Sequence, residues 1–251
     1  MQRDQAERAT LLGCPVDLVS METALERIEA IIAGSRPGQV ITLNAEILYH
    51  AREDQAFQEI LRKATLVTPD GIGVVWAARQ LGYQPQGRVS GIDLLYQICQ
   101  RAALRHWSVY LLGAAPGVAE KAARDLTDRF PGLQVSGTGH GYFSEDEEQQ
   151  VVAKIRAASP EILFVALGAP RQEKWIDKHL SRLGAGVCIG VGGSLDVAAG
   201  IKNRAPEFFI RFNLEWFYRL LKEPSRIKRQ IVLPRFVLLV LKEKYFPRFT
   251  R

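Results

Sequence analysis

The 251 residues are 47% hydrophobic and 24% charged, enough apolar material for one sizeable core and an ordinary charge content that excludes wholesale disorder. The net charge of +6 is unevenly placed: residues 202–251 carry 13 Lys/Arg against 4 Asp/Glu, and residues 1–201 carry 20 against 23. A mildly acidic body with a basic tail points to a polyanionic partner, either nucleic acid or an anionic membrane. The polar start MQRDQAERAT lacks the apolar stretch of a secretory signal, and no run reaches the roughly 18 apolar residues of a membrane span, so the expectation is a cytoplasmic protein.

In chain order, short β-rich runs alternate with amphipathic stretches. A helix over 21–33 puts Leu25, Ile28, Ile31 and Ile32 on one stripe and is followed by a strand, Gln39–Leu43. Next come a helix over 54–64 carrying Phe57, Ile60 and Leu61, a short strand at Leu66–Thr68, and a helix from Gly71 to Leu81 stopped by Gly82. A helix over 91–105, a strand at Trp107–Leu112, a helix over 117–130 and a strand at Leu133–Ser136 continue the alternation. Ser144 and Glu147 form a capping-box pattern that opens another helix. A strand at Ile162–Leu167, a helix over about 171–183 and a strand at Val187–Val191 complete the series. Several strands are apolar almost throughout, as when helices cover both faces of a sheet. The pattern predicts an α/β fold, a Rossmann-like mostly parallel sheet sandwiched by helices, with ligands bound beyond the carboxyl ends of the strands.

After residue 200 the pattern changes. Residues 205–221 read as a helix rich in aromatics (Phe208, Phe209, Phe212, Trp216, Phe217, Tyr218), broken at Glu223–Pro224. A second helical stretch starts near Ser225, with a kink expected at Pro234. Residues 1–200 are read as the α/β core and 201–251 as a helical appendage.

The loops after the strands hold the polar and glycine-rich segments: Asn44-Ala45-Glu46, Pro69-Asp70-Gly71-Ile72-Gly73, Gly113–Gly117, Gly168–Glu173 and Gly192-Gly193-Ser194-Leu195-Asp196. All five would meet at one sheet edge, the layout of a substrate cleft. A helix start at Gly113–Gly117 favours a phosphate through its free N–H groups and dipole, and Gly192–Gly193 offers the same; glycine after a strand is equally ordinary turn chemistry. Neither segment completes the GxGxxG dinucleotide fingerprint, and no Walker A sequence occurs. Asp70 has two readings: the cap of the following helix, or a general base whose pKa is raised by apolar Ile72, Val74 and Val75. Asp93 and Asp196 share that ambiguity. Arg88, in the polar loop QPQGRVSGID, is either solvated or a partner for phosphate oxygens. Gln172 either caps its helix or holds a sugar hydroxyl. His50, His106, His140 and His179 have no metal-ligand spacing, and HExxH, DxD and GxSxG are all missing. Cys14, Cys99 and Cys188 are far apart and form no CxxC, so buried reduced thiols are expected.

Taken together, the segments TLNAE (42–46), TPDGIGVVWAAR (68–79), RVSGIDLL (88–95), LLGAAPG (111–117), LGAPRQEKWI (167–176), GVGGSLDVAAG (190–200), RAPEFF (204–209) and LEWFYRLLKEPSRIKRQ (214–230) resemble the WecB/TagA/CpsF glycosyltransferase family. The resemblance runs from about Leu12 to Phe246, in order and with kept spacing. It implies a metal-independent, inverting transfer without cofactor, from a UDP-sugar (N-acetylmannosamine, its uronic acid or glucose) to a polyprenyl-diphosphate-linked acceptor sugar at the inner face of the bacterial membrane. Products of that kind feed teichoic acid or exopolysaccharide synthesis. Asp70 resembles the family's base. Thr42, Asn44, Arg88 and Gln172 resemble its other pocket residues, and Arg219, Arg226 and Arg229 match arginines that reach over the site to a diphosphate. Trp76 and Tyr83–Gln86 lie in variable surroundings and leave the sugar open.

The residues agree with that implication. Inverting transfer needs a base on the acceptor hydroxyl and charge stabilisation for the departing diphosphate; the loops and the tail arginines supply both. The tail's aromatic and basic residues also suit an interfacial helix on anionic lipid, against packing on the core or on another subunit. Self-association off the membrane is a further expectation. Two other classes remain at this point: a non-catalytic nucleotide-binding module whose basic tail holds nucleic acid, and a nicotinamide-dependent oxidoreductase.

Overall fold

The computed structural model describes residues 8–212, 214–222, 227 and 231–246, with the backbone alone at 219. A hairpin of β1 (Arg8–Leu11) and β2 (Cys14–Asp17) leads through α1 (Met21–Ile32) into β3 (Gly38–Leu43). Helices α2 (Ala45–Ala51) and α3 (Gln55–Lys63) precede β4 (Leu66–Pro69), and α4 (Ile72–Gln80) and α5 (Gly91–Arg105) precede β5 (Ser108–Gly113). Strict alternation follows: α6 (Val118–Arg129), β6 (Gln134–Gly139), α7 (Glu145–Ala158), β7 (Ile162–Ala166), α8 (Arg171–His179), β8 (Val187–Gly190), α9 (Ser194–Ala198). The tail holds α10 (Glu207–Arg211), α11 (Glu215–Lys222) and α12 (Val232–Tyr245).

Strands β3 to β8 form one sheet in the order β4-β3-β8-β7-β5-β6, and every neighbouring pair is parallel. Successive residues of a strand point to opposite faces. Val40, Leu66, Val109, Phe164 and Ile189 face one side and pack with Leu25, Ile98, Ala122 and Leu195 of α1, α5, α6 and α9. On the other side Ile41 and Val67 pack with Leu48, Phe57 and Val74 of α2 to α4. Leu112, Leu163 and Cys188 pack there with Ile155 and Ile176 of α7 and α8. Both faces are covered, which is why β5, β7 and β8 read as nearly unbroken apolar runs; the edge strand β6 (QVSGTG) stays partly exposed.

The hairpin and α2 have no counterpart in the sequence reading. Four-residue strands are too short for a clear alternation, and Pro15 sits inside β2. The hairpin is fixed instead by Asp17, 2% exposed, whose carboxylate accepts from the Val67 amide at 2.7 Å and from Arg27 at 3.2 Å. The expected capping box at Ser144 and Glu147 forms, and Ser20, Asn44, Asp54 and Ser90 also cap their helices.

The tail departs from expectation in two places. The aromatic stretch is two helices rather than one: the Leu214 amide bonds back to the Phe209 carbonyl at 2.7 Å, a closure that ends a helix. Pro234 produces no kink within a helix, because α12 begins at Val232 and a first-turn proline lacks only an N–H that has no intrahelical acceptor. Helix α12 lies in the groove between α2 and α4, burying Phe236 and Val240 in the same cluster as Leu48 and Val74. Gly73 lets α4 come close there, since a Cβ at 73 would fall 2.8 Å from the Ala45 Cβ. Glu243 accepts from the Leu12 amide at 3.3 Å and Lys244 donates to Gln80 at 3.0 Å. The three cysteines are buried thiols, and burial pushes Cys14 up to about 11 and Cys99 and Cys188 up to about 12.

Candidate active site

The chain leaves β3 for α2 on one face of the sheet and leaves β8 for α9 on the other. Since β3 and β8 are neighbours, a crevice opens between their carboxyl ends, where open α/β sheets bind ligands. Thr42, Asn44, Asp70, Gln172 and Gly190–Ser194 border it.

Asp70 follows β4, half-buried, and its amide donates to the Leu43 carbonyl at 2.8 Å. It does not cap α4. The residue before that helix is Gly71, whose φ of 97° favours glycine, and the helix has no side-chain cap. The carboxylate turns into the crevice instead. An ideal Cβ built on Gly91 would lie 3.6 Å from Asp70 Oδ2, 3.5 Å from Thr42 Oγ1 and 3.7 Å from Ser194 Oγ, so oxygens from β3, the β4 loop and α9 converge on one spot. Thr42 is 6% exposed and its hydroxyl donates to the Gly190 carbonyl at 3.0 Å. Its register partner Thr68 shares that face of the sheet, and Thr68 Oγ1 is buried with no hydrogen-bond partner. Asn44 caps α2, accepting from the Ile47 amide at 2.9 Å.

Gln172 is 2% exposed, and its amide is engaged at both ends. Nε2 donates to Glu173 Oε1 at 2.7 Å, and Oε1 accepts from the Gly192 amide at 3.1 Å. The side chain lies against β8, where a Cβ at Gly190 would come within 2.7 Å of it. Gln172 therefore shapes the β8–α9 turn. Glu173, fully buried, is held above the usual carboxylate range by desolvation, with the Gln172 hydrogen bond pulling the other way. Its backbone carbonyl accepts from Gln39 at 3.0 Å. Sequence reading missed Glu173, although a carboxylate directly beside a candidate residue was a visible signal.

Arg88 is not solvated: its guanidinium donates to Glu215 of α11 at 3.0 Å, both side chains being under a fifth exposed. Glu215 Oε1 is buried with no partner, so Arg88 is the described group that compensates this carboxylate. Asp93 accepts from Ser90 and from Arg204, and Asp196 pairs with Lys202 at 3.7 Å; these two carboxylates tie the start of the tail to the core. Arg219 lies in α11, one turn beyond Glu215, but its side chain, and all of Arg226 and Arg229, fall outside the described residues.

Among the glycine candidates, Gly113 has a packing reason of its own. At φ 132°, a Cβ there would strike the Ala166 carbonyl oxygen at 2.4 Å. The Gly192 amide is taken by Gln172, and Gly193 begins α9 without a side-chain cap. Helix α6, twelve residues long, likewise starts at Gly117 without one. Among the described residues no group of His, Cys, Asp or Glu could hold a metal ion. His179 is hydrogen-bonded to Glu148 behind the sheet.

Residues 9–250 match the sequence model of the Glycosyl transferase WecG/TagA/CpsF family. Similar proteins include an N-acetylglucosaminyldiphosphoundecaprenol N-acetyl-beta-D-mannosaminyltransferase of Bacillus spizizenii, 38% identical over 205 residues, which is 82% of this chain and 79% of that protein. A protein of the same description from Staphylococcus aureus strain MW2 is 35% identical over 245 residues, 97% of this chain and 96% of its own. The chain belongs to the WecG/TagA/CpsF family and is a glycosyltransferase.

Proposed function

We propose that this glycosyltransferase moves N-acetylmannosamine from a UDP-linked donor to N-acetylglucosamine on undecaprenyl diphosphate, with Asp70 as the general base. The relatives' names supply the sugar and the lipid. The observation that carries the mechanism is the Asp70 carboxylate, which does not cap α4 and points, with the Thr42 and Ser194 hydroxyls, at the space beside Gly91. Asp70 removes the proton of the acceptor hydroxyl as its oxygen bonds to the anomeric carbon. The bond from that carbon to the diphosphate breaks, and the electron pair leaves with UDP. Attack opposite the leaving group inverts the centre, so an α-linked donor gives the β product in the relatives' names.

Charge on the departing diphosphate must be met by groups aimed at it. Arg88 is the described candidate; further candidates are Gly192–Gly193, the Gly113–Gly117 helix start, and Arg219, Arg226 and Arg229 from the tail. The transfer needs neither metal nor cofactor. Titrating the enzyme with UDP in excess EDTA tests this: undiminished affinity is expected, and a loss of binding on chelation would overturn the metal-free reading.

A pair of variants separates the two tasks of Arg88. Arg88→Ala strands Glu215 as a partly buried, unpaired carboxylate, at a cost of about 1–3 kcal/mol, and also weakens UDP binding. Adding Glu215→Ala is expected to restore the melting temperature but not the UDP affinity; recovery of both would make Arg88 purely structural.

The same reading places the enzyme on the inner face of the cell membrane. No helix among the described residues is long and apolar enough to cross a bilayer. Phe208, Phe212, Trp216, Leu221, Ile231 and Leu238 are nevertheless exposed in the tail, Phe208 at 63% and Leu238 at 66%, in a segment whose sequence carries 13 Lys/Arg. Burying one phenylalanine ring in lipid is worth roughly 1.5–3 kcal/mol. Phe208→Ser with Phe212→Ser is therefore expected to cut affinity for phosphatidylglycerol vesicles more than tenfold with the melting temperature unchanged. Equal vesicle binding would remove these rings from the anchor.

A further inference from the structure

We propose that Ser194 is a substrate-binding residue of the transfer reaction, its hydroxyl holding the acceptor hydroxyl against Asp70, and that position 91 is glycine to leave that hydroxyl room. The inference rests on the reading of Asp70 as the base.

Gly91 is the first residue of α5, capped by Ser90. Its φ is not among the positive values of this chain, so its backbone conformation is open to any residue, and inside a helix alanine would serve better than glycine. Packing does not demand glycine either. A Cβ there would meet Thr42 Oγ1 at 3.5 Å, Asp70 Oδ2 at 3.6 Å and Ser194 Oγ at 3.7 Å, all ordinary contacts. Gly113, Gly137 and Gly186 differ: a Cβ on any of them would collide with the chain itself, at 2.4, 2.5 and 2.9 Å. The missing side chain at 91 instead keeps open a space ringed by three oxygens from three separate loops.

The three oxygens are not equivalent. Thr42 spends its proton on the Gly190 carbonyl, and Asp70 is an acceptor when ionised. Ser194 is 8% exposed; its amide donates to the Val191 carbonyl at 3.1 Å, but its hydroxyl has no hydrogen bond to a described residue, so of these three oxygens it is the one with a proton to give. Its position is held by the turn before it, where Gly192 donates to Gln172 and Gln172 is fixed in turn by Glu173. Thr68, in register with Thr42 on the neighbouring strand, also has a buried hydroxyl without a partner. An alcohol entering the space beside Gly91 would donate its proton to Asp70 and accept from Ser194. The remaining lone pair is left for the anomeric carbon. In the reaction the alcohol's O–H bond breaks with its proton going to Asp70, the new O–C bond forms, and UDP leaves with the electrons of the old one; Ser194 keeps its own proton throughout.

The test compares Ser194→Ala, Ser194→Thr and Gly91→Ala with the parent and with Asp70→Asn, using a short-prenyl diphosphate N-acetylglucosamine acceptor. Steady-state kinetics, UDP affinity and melting temperature are measured for each. Ser194→Ala and Gly91→Ala are expected to lower kcat/KM for the acceptor roughly tenfold or more with UDP affinity and melting temperature unchanged. Ser194→Thr, which keeps the hydroxyl, is expected to retain most of the activity. Acceptor kcat/KM within twofold of the parent for Ser194→Ala or Gly91→Ala overturns the proposal, as does a parallel fall in melting temperature and UDP affinity, which would mark a structural role. If Asp70→Asn is itself fully active, the reading of the base fails, whatever Ser194 does.

Discussion

Asp70→Asn is expected to lower the transfer rate about 10²–10⁴-fold while the protein melts within a degree or two of the parent. The substitution preserves shape while replacing the carboxylate, the group that takes the proton, with a neutral amide. The fold does not depend on that carboxylate for a helix cap, since α4 begins without one, and the backbone bond from Asp70 to Leu43 is untouched. Measuring UDP release with the lipid acceptor, beside a melting curve, checks both halves. A rate within tenfold of the parent would remove Asp70 from the base role. Because the variant still presents Thr42 and Arg88, its UDP affinity should be unchanged, which assigns the loss to chemistry.

Phe236→Ala is expected to cost about 3–5 kcal/mol, a fall of roughly 10 °C in melting temperature for a chain of this size. The ring is 1% exposed and lies with Leu48 and Val74 in the core shared by α2, α4 and α12. Helix α4 starts one residue after Gly71, so the tail helix braces the element that follows the Asp70 loop. Removing everything after residue 201 would strip Phe236 and Val240 from this core. A truncation of that kind therefore reads stability as well as membrane attachment, and the point variants of the exposed rings are the cleaner probe of attachment. A Phe236→Ala protein that melts with the parent would show that α12 is dispensable for the fold.

The sheet was legible in the sequence because β5 and β7 are nearly continuous apolar runs and the helices between strands have clear periodicity; Asp70 stood out by its place at a strand end, and Thr42 by the family resemblance alone. What stayed hidden depends on contacts distant in the chain. Arg88 and Glu215 are 127 positions apart, and nothing local to QPQGRVSGID marks the pairing. Gln172 read from its place at a helix start as either a cap or a sugar ligand; its contacts with Gly190 and Gly192 come from another strand and could not be read locally. Gly91 carried no signal at all, since a helix-opening glycine after Ser90 is ordinary, and only the convergence of Thr42, Asp70 and Ser194 gives it meaning. The hairpin escaped because its strands are only four residues long, and what ties it to the sheet, Asp17 accepting from the Val67 amide, is distant in the chain.

The account's central claim is tested most directly by incubating the enzyme with a short-prenyl diphosphate N-acetylglucosamine and, separately, UDP-N-acetylmannosamine, UDP-N-acetylglucosamine, UDP-glucose and UDP-N-acetylmannosaminuronic acid, and weighing the lipid product by mass spectrometry. A product one N-acetylhexosamine heavier, formed from UDP-N-acetylmannosamine in EDTA and missing with Asp70→Asn, is the predicted result. No lipid product from UDP-N-acetylmannosamine, or the same product made equally well by Asp70→Asn, would contradict it.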